Sequence, residues 1–160
     1  MLSRRRQLSW LIISIIIIAL DLSSKYLIAK YLDIDKPYYL LPFLNLSLAH
    51  NSGAAFSFLG GAGGWQRWVF IAITVVVCVV MLVWLCRLSR QPFKSLALAL
   101  IIGGAIGNLW SRLTLGYVID FIDFHIHGWH FATFNIADSA ITVGVIVLLI
   151  VMFFDQRGVK

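Results

Sequence analysis

The chain contains no glutamate. Its seven acids are all aspartates, and charged residues of either sign make up only 12% of its 160 residues. Hydrophobic residues make up 61%, against about 45–50% apolar in a soluble domain. That balance excludes an ordinary soluble fold and points to an integral membrane protein. Cysteine is nearly absent as well. Cys78 and Cys86 fall in one apolar run, about 12 Å apart along a helix axis, too far for a disulfide within it. Neither residue informs on redox compartment. Also missing are an HExxH zinc motif, a P-loop, a dinucleotide fingerprint and a Gly-x-Ser-type serine protease arrangement.

The formal charge is +6, yet the basic residues form no soluble patch for nucleic acid. Arg4, Arg5 and Arg6 precede the first apolar run. Arg87, Arg90 and Lys94 lie between the second and third, and Arg157 and Lys160 follow the last. This positive-inside pattern places both termini in the cytoplasm. The first run follows arginines as a signal peptide would. No small-residue cleavage site follows it, and Asp21 and Lys25 come next, so it reads as a retained span.

A bilayer core needs about 20 apolar residues per helix. Four spans are expected, over residues 8–28, 65–86, 95–112 and 136–154. Gly103 and Gly107 form a small-xxx-small pair that lets helices approach closely. Residues 29–64 and 113–134 then lie outside. The first holds Pro37, Pro42 and a Gly60–Gly64 stretch that reads as a hinge. Within it, residues 40–48 space polar residues between apolar ones, which fits a short strand or two. The second is rich in aromatics and histidine, as suits an interfacial position. There is no internal repeat and no low-complexity linker, so residues 1–160 read as one domain.

Six of the seven aspartates fall at or near one membrane face. A carboxylate near hydrocarbon costs roughly 2.5–3.5 kcal/mol at a helix centre. Asp120 lies just beyond the third span. Asn135 is a good N-cap for the fourth, which sets Asp138 at its third position in a capping-box-like arrangement. Asp138 by itself is explained equally well as a complement to the helix dipole, and Asp120 as a loop acid paired with Arg112. Together they suggest two carboxyls sharing a proton, one activating water and the other donating to a carbonyl. Asp21 and Lys25 share a helix face at i,i+4, which a structural ion pair explains. Asn108 and Arg112 repeat that spacing, which interhelical hydrogen bonding explains. His125, His127 and His130, with Asp123, are the material for a rival metal site. A proton-conducting path is the other rival, but spans two to four have almost no ionisable group toward the inner half.

Five stretches together resemble the lipoprotein signal peptidases (signal peptidase II), the aspartyl proteases of the bacterial inner membrane. They are Asp21-Leu22-Ser23-Ser24-Lys25, Asn51-Ser52-Gly53-Ala54-Ala55-Phe56-Ser57, Gly103-Gly104-Ala105-Ile106-Gly107-Asn108-Leu109, Gly116-Tyr117-Val118-Ile119-Asp120-Phe121-Ile122-Asp123-Phe124 and Phe134-Asn135-Ile136-Ala137-Asp138. They stand in the family's order across residues 8–155. The resemblance implies a multi-pass enzyme of four transmembrane helices, with a small β-rich periplasmic cradle between helices 1 and 2. It implies removal of the signal peptide from prolipoproteins just before a diacylglyceryl-modified cysteine, at the periplasmic face. It puts the catalytic pair at Asp120 and Asp138, and supporting or substrate-binding roles at Asp21, Lys25, Asn51, Gly53, Asn108, Arg112 and Asn135. The Asn51 loop and Asn108 are then expected to hold the substrate backbone. No metal or cofactor is implied. The implied partners are the lipid-modified substrate, membrane lipids and globomycin-type inhibitors. One position departs from the family. Ser111 stands where an aspartate usually precedes the arginine, and Asp123 is the candidate to take over its role of orienting Arg112.

Overall fold

The computed structural model describes residues 7–34, 36–53 and 64–157. Four long helices are present: α1 (Leu11–Tyr31), α2 (Trp65–Arg87), α3 (Pro92–Thr114) and α4 (Ile136–Arg157). With 21 to 23 residues each and about 1.5 Å of rise per residue, each is long enough to cross a bilayer core of about 30 Å. All four coincide with the expected spans. α1 is displaced three residues toward its C-terminus, and α3 extends further at both ends. Pro92 explains the earlier start of α3, since proline fits the first turn of a helix.

α3 is the central helix, packed against the other three. Its inward face is almost entirely small or aliphatic, with Ala97, Leu98, Ala99, Ile101, Ile102 and Ala105 all buried. α2, by contrast, buries only Gln66 and Leu85. Its long exposed apolar surface suits a helix that meets lipid on most sides. Close approach depends on glycine. A Cβ on Gly103 would lie 2.9 Å from the Cα of Ser14 in α1, and one on Gly144 of α4 would lie 2.8 Å from the carbonyl oxygen of Ala97. Ser14 Oγ crosses the same α1–α3 contact to donate to the carbonyl of Ala99 at 2.7 Å. At the other end of the bundle, Lys94 and Asp155 pair across α3 and α4 at 2.5 Å.

A four-stranded antiparallel sheet sits at one end of the bundle, in the order β1 (Tyr38–Leu41), β2 (Leu44–Asn51), β3 (Val118–Ile126), β4 (Trp129–His130). The β-rich element between helices 1 and 2 is therefore real, but only half of the sheet comes from there. The aromatic segment that reads as an interfacial loop supplies β3, which is buried over most of its length. β2 carries a bulge between Leu46 and Ala49, opposite Phe121, and bulges re-aim neighbouring side chains. The residue beside it on β3 is Asp120, paired with Ala49. Ile28 of α1 packs with Leu48, Ile119 and Phe121, which seats the sheet on the bundle. Of the glycine hinge, residues 60–63 lie outside the described residues. Gly64 caps α2 in a left-handed conformation with φ 94°.

Replacing Gly103 with alanine is expected to push α1 from α3, because backbone and not a flexible side-chain tip occupies the space. Overpacking of this kind costs about 1–3 kcal/mol. Thermal unfolding in detergent measures it, and an unchanged midpoint would show that the helices part at no cost.

Candidate active site

The first turn of α4 is where the polar residues converge. Helix N-termini present backbone N–H groups that have no partner within the helix. Here the side-chain Oδ1 of Asn135 accepts from the N–H of Asp138 at 2.9 Å. Asp138 Oδ2 accepts in return from the N–H of Asn135 at 3.2 Å. This is a reciprocal capping box with aspartate at the third position, as the sequence spacing predicts. Asp21 of α1 accepts from the N–H of Ala137 at 3.0 Å, so a carboxylate from another helix caps the same turn.

Asn135 also faces the other way. Its Nδ2 donates to Asp120 Oδ1 at 2.6 Å. One fully buried amide thus holds both aspartates, through its oxygen side on α4 and its nitrogen on β3. What brings the two elements together is backbone pairing: Phe134 accepts from the N–H of Ile122 at 2.8 Å and donates to its carbonyl at 3.1 Å. Asp120 Oδ2 accepts a further bond from Asn51 Nδ2 at 2.9 Å.

Lys25 is the buried cation of the cluster. Its ammonium donates to Asp21 at 2.7 Å and to Asn108 Oδ1 at 2.8 Å. Asn108 Nδ2 then donates to Asp138 Oδ1 at 2.8 Å. Lysine and aspartate are therefore linked through an amide that passes orientation from one to the other. Gly107 makes room for this, because a Cβ there would lie 2.5 Å from Asp21 Oδ2.

The same contacts occupy two of the cavity's asparagines. Asn51 and Asn108 line the cavity described below, but their polar groups are already engaged. Asn51 Oδ1 accepts from the N–H of Gly53 at 3.0 Å, and both amide nitrogens serve the aspartates. They position carboxylates. One correction concerns Arg112. It donates to the carbonyl of Gly53 at 3.0 Å and lies over the ring of Phe70 at 5.2 Å. Asp123 is engaged elsewhere, with Asn45 at 3.1 Å and His130 at 2.8 Å. Ser111 turns inward and donates to the carbonyl of Gly107 at 3.3 Å. Arg112 is thus held by backbone and an aromatic ring instead of a carboxylate.

Asp120 and Asp138 both line a cavity of about 510 Å³ that opens at the sheet end of the bundle. Its other walls are mostly apolar and include Val118, Phe131, Phe134, Ile141 and Val143. Phe131, Ile141 and Val143 carry no polar signal that would single them out in sequence. Thr142 does, because it lies four residues after Asp138 on the same helix face. Burial pushes the Asp120 carboxyl up to about 6; the hydrogen bonds from Asn51 and Asn135 oppose the rise, and the nearby Asp138 charge adds to it. A group poised there is suited to proton transfer near neutral pH. The histidines do not join this site. His125 and His130 stack with ring centres 5.0 Å apart, and His127 lies exposed on a turn with φ 48°. Among the described residues no three histidine, cysteine or acidic side chains converge to hold a metal ion.

The protein-family profile described as Signal peptidase (SPase) II matches residues 13–154. A protein of Coxiella burnetii (strain Dugway 5J108-111), named Lipoprotein signal peptidase, is 55% identical over 150 residues, which cover 93% of this chain and 92% of that one. A protein of the same name from Salmonella newport (strain SL254) is 47% identical over 154 residues, covering 96% and 93%. A bacterial membrane enzyme solved by the in meso method at 2.3 Å resolution superposes with a TM-score of 0.87 at 32% identity, over 95% of this chain and 92% of the other.

The buried ion pair gives a direct test of the network. Asp21→Asn leaves Lys25 uncompensated, and breaking a buried pair from one side costs about 3–5 kcal/mol. The double variant Asp21→Asn/Lys25→Met removes both charges and is expected to recover part of that loss. Unfolding midpoints in detergent for the two proteins decide it, and equal midpoints would mean that the pair is uncoupled.

Proposed function

The chain belongs to the signal peptidase II family, and on that premise we propose that Asp120 and Asp138 are the carboxylates with which it cuts. It is a multi-pass enzyme of the bacterial inner membrane, an intramembrane aspartic protease that cleaves the signal peptide from lipoprotein precursors. The observation that carries the assignment is the cavity that both aspartates line, with Asn135 bonded to each.

In this reading water sits between the two carboxyls. Asp138, at the positive end of the α4 macrodipole, takes a proton from that water. The oxygen adds to the scissile carbonyl carbon. Asp120, protonated, donates to the carbonyl oxygen, so the tetrahedral species forms without a free oxyanion. Its collapse breaks the C–N bond: Asp138 gives its proton to the leaving nitrogen while Asp120 takes one back from a hydroxyl of the gem-diol, which leaves a carboxylic acid and restores the starting pair. Asn51, Asn108 and Asn135 fix the carboxylates, Asp21 and Lys25 hold the α4 turn beneath them, and Arg112 ties the Gly53 end of β2 to α3. Residues 1–160 act as one membrane-embedded peptidase domain.

The substrate we propose is a prolipoprotein whose cysteine carries a diacylglyceryl group, cut just before that cysteine. Apolar walls beside two polar carboxyls suit a ligand that is part lipid and part peptide. Such a substrate enters laterally from the membrane, its acyl chains against the helix faces and its scissile bond at the periplasmic face. Globomycin-type cyclic peptides compete for the same cavity.

Asp120→Asn and Asp138→Asn are each expected to lower cleavage of a lipid-modified prolipoprotein by about a thousandfold, within the range that acid–base groups contribute. The assay uses purified protein with a chelator present throughout, and unfolding midpoints check that both variants fold. A variant that keeps near-full activity removes its residue from the pair.

The pH profile has a definite sign. Asp120 is protonated below about 6 and ionised above, so kcat/KM is expected to fall on the alkaline side of that value as the donor proton is lost. The Asn51 hydrogen bond favours the ionised form. Asn51→Ala therefore moves this limb to higher pH. A limb that stays in place, or moves down, counts against Asp120 as the acid.

A further inference from the structure

Hydroxyls on the helices of this bundle mostly satisfy themselves on the helix that carries them. Thr74 donates to the carbonyl of Phe70 at 2.7 Å, Ser111 to Gly107 at 3.3 Å, Thr114 to Trp110 at 2.8 Å and Ser139 to Asn135 at 2.9 Å. Each acceptor stands four residues back, the usual place for such a bond. Thr142 breaks the pattern. It lies within the α4 span and lines the active-site cavity, yet its hydroxyl makes no hydrogen bond among the described residues. Ser23 of α1 is the same in this respect but is not part of the cavity wall. The other hydroxyls of the cavity are Ser139, which is engaged, and Thr133, which precedes α4 at the sheet end. A hydroxyl held away from water without a partner is costly, and polar groups kept inside a span commonly serve a substrate or a pathway.

Depth identifies the partner. Thr142 follows Asp138 by four residues, so it lies on the same helix face about 6 Å further along the axis. α4 starts at the sheet end, and that displacement is toward the membrane interior. The cavity residues on either side of it, Ile141 and Val143, are apolar. The part of a lipoprotein precursor that reaches this level is the end of its signal peptide. The last four carbonyls of a helix have no partner within it, and hydrocarbon supplies none. A peptide bond open to attack by water is drawn out of the helix, and an extended chain covers about 6 Å with about two residues. Counted back from the scissile carbonyl at the two aspartates, two residues lead to the carbonyl of the third residue before the cysteine. That carbonyl lacks a donor, and a threonine hydroxyl has one proton to give. We propose that Thr142 is a substrate-binding residue, whose hydroxyl donates to this carbonyl and sets the register of the signal peptide against Asp120 and Asp138. The role rests on the active-site reading above.

The test measures cleavage by wild type, Thr142→Val and Thr142→Ser. Each enzyme is given an ordinary lipid-modified prolipoprotein peptide and one in which the third residue before the cysteine carries a thioamide. Sulfur is the weaker acceptor, and the rest of the peptide is unchanged. Thr142→Val keeps the shape of the side chain and loses the hydroxyl. It is expected to lower kcat/KM on the ordinary peptide about tenfold, the worth of one neutral hydrogen bond, with an unfolding midpoint no lower than that of wild type. Thr142→Ser, which keeps the hydroxyl, is expected to remain close to wild type. The thioamide is expected to lower wild type to the level of Thr142→Val and to have no further effect on Thr142→Val, because residue and carbonyl act as one pair. Full activity in Thr142→Val, a serine variant as weak as the valine one, or a thioamide effect that is absent from wild type or equal in both enzymes overturns this role while the active-site reading stands. A wild type that does not cut the ordinary peptide overturns the active-site reading itself.

Discussion

The N-terminus of α4 is the point on which the rest of the site depends. A helix that begins inside a protein, at the level of a membrane face, has backbone donors that water does not fully reach. Here three are answered by particular residues: Asp21 for Ala137, Asn135 Oδ1 for Asp138, and Asp138 Oδ2 for Asn135. Satisfying that turn draws a carboxylate from α1 into the bundle. The carboxylate brings in Lys25, and Lys25 has a second bond to give, which goes to Asn108. The buried charges are in this sense consequences of capping. Once present, they set the orientation of Asp138 through two successive hydrogen bonds.

Such a cluster is tolerable only if the helices that carry it come close. Small residues on α3 make this possible. Gly107 lies against Asp21, Gly103 against the backbone of Ser14, and Gly144 of α4 against the carbonyl of Ala97. In lipid no hydrophobic driving force favours helix association, so close packing and buried hydrogen bonds must supply it. The same short distances that let the bundle form therefore let the polar groups reach one another. Fold and site are stabilised by one set of contacts, and a single added methyl group bears on both.

Much of this was legible in sequence wherever the signal was local. Four apolar runs give four helices, the Gly103/Gly107 spacing gives a tight crossing, and Asn135 with Asp138 gives a capping box. The failures share a cause, which is dependence on distant partners. β3 is buried on both faces, so it shows no alternation to mark it as a strand. Nothing in the neighbourhoods of Asn51 and Asn108 shows that they donate to Asp120 and Asp138. Asp123 looks available to Arg112 until the β2–β3 register sets it opposite Asn45. Register between strands from different outer segments follows from the bulge and the seating on α1, and no local pattern encodes it.

The two aspartates sit on different kinds of element, and in the proposed mechanism that difference separates their roles. Asp138 is in the first turn of a helix, at the positive end of the macrodipole, and accepts from two N–H donors. Asp120 is on a strand, which supplies no comparable field; it accepts two neutral amide bonds and is otherwise buried. Two identical carboxyls would share a proton evenly and leave the direction of attack undefined. Placing one at a helix terminus and the other on a buried strand breaks that symmetry before substrate arrives. Asn135 keeps the asymmetry fixed, because its amide cannot exchange ends: its oxygen is required by the Asp138 N–H and its nitrogen by the Asp120 carboxyl. A serine or threonine would cap the helix as well but has no second arm for Asp120. An aspartate would cap it too and present a negative oxygen where Asp120 needs a donor. Asparagine meets both demands at once, with a cap acceptor on one side and an amide donor on the other.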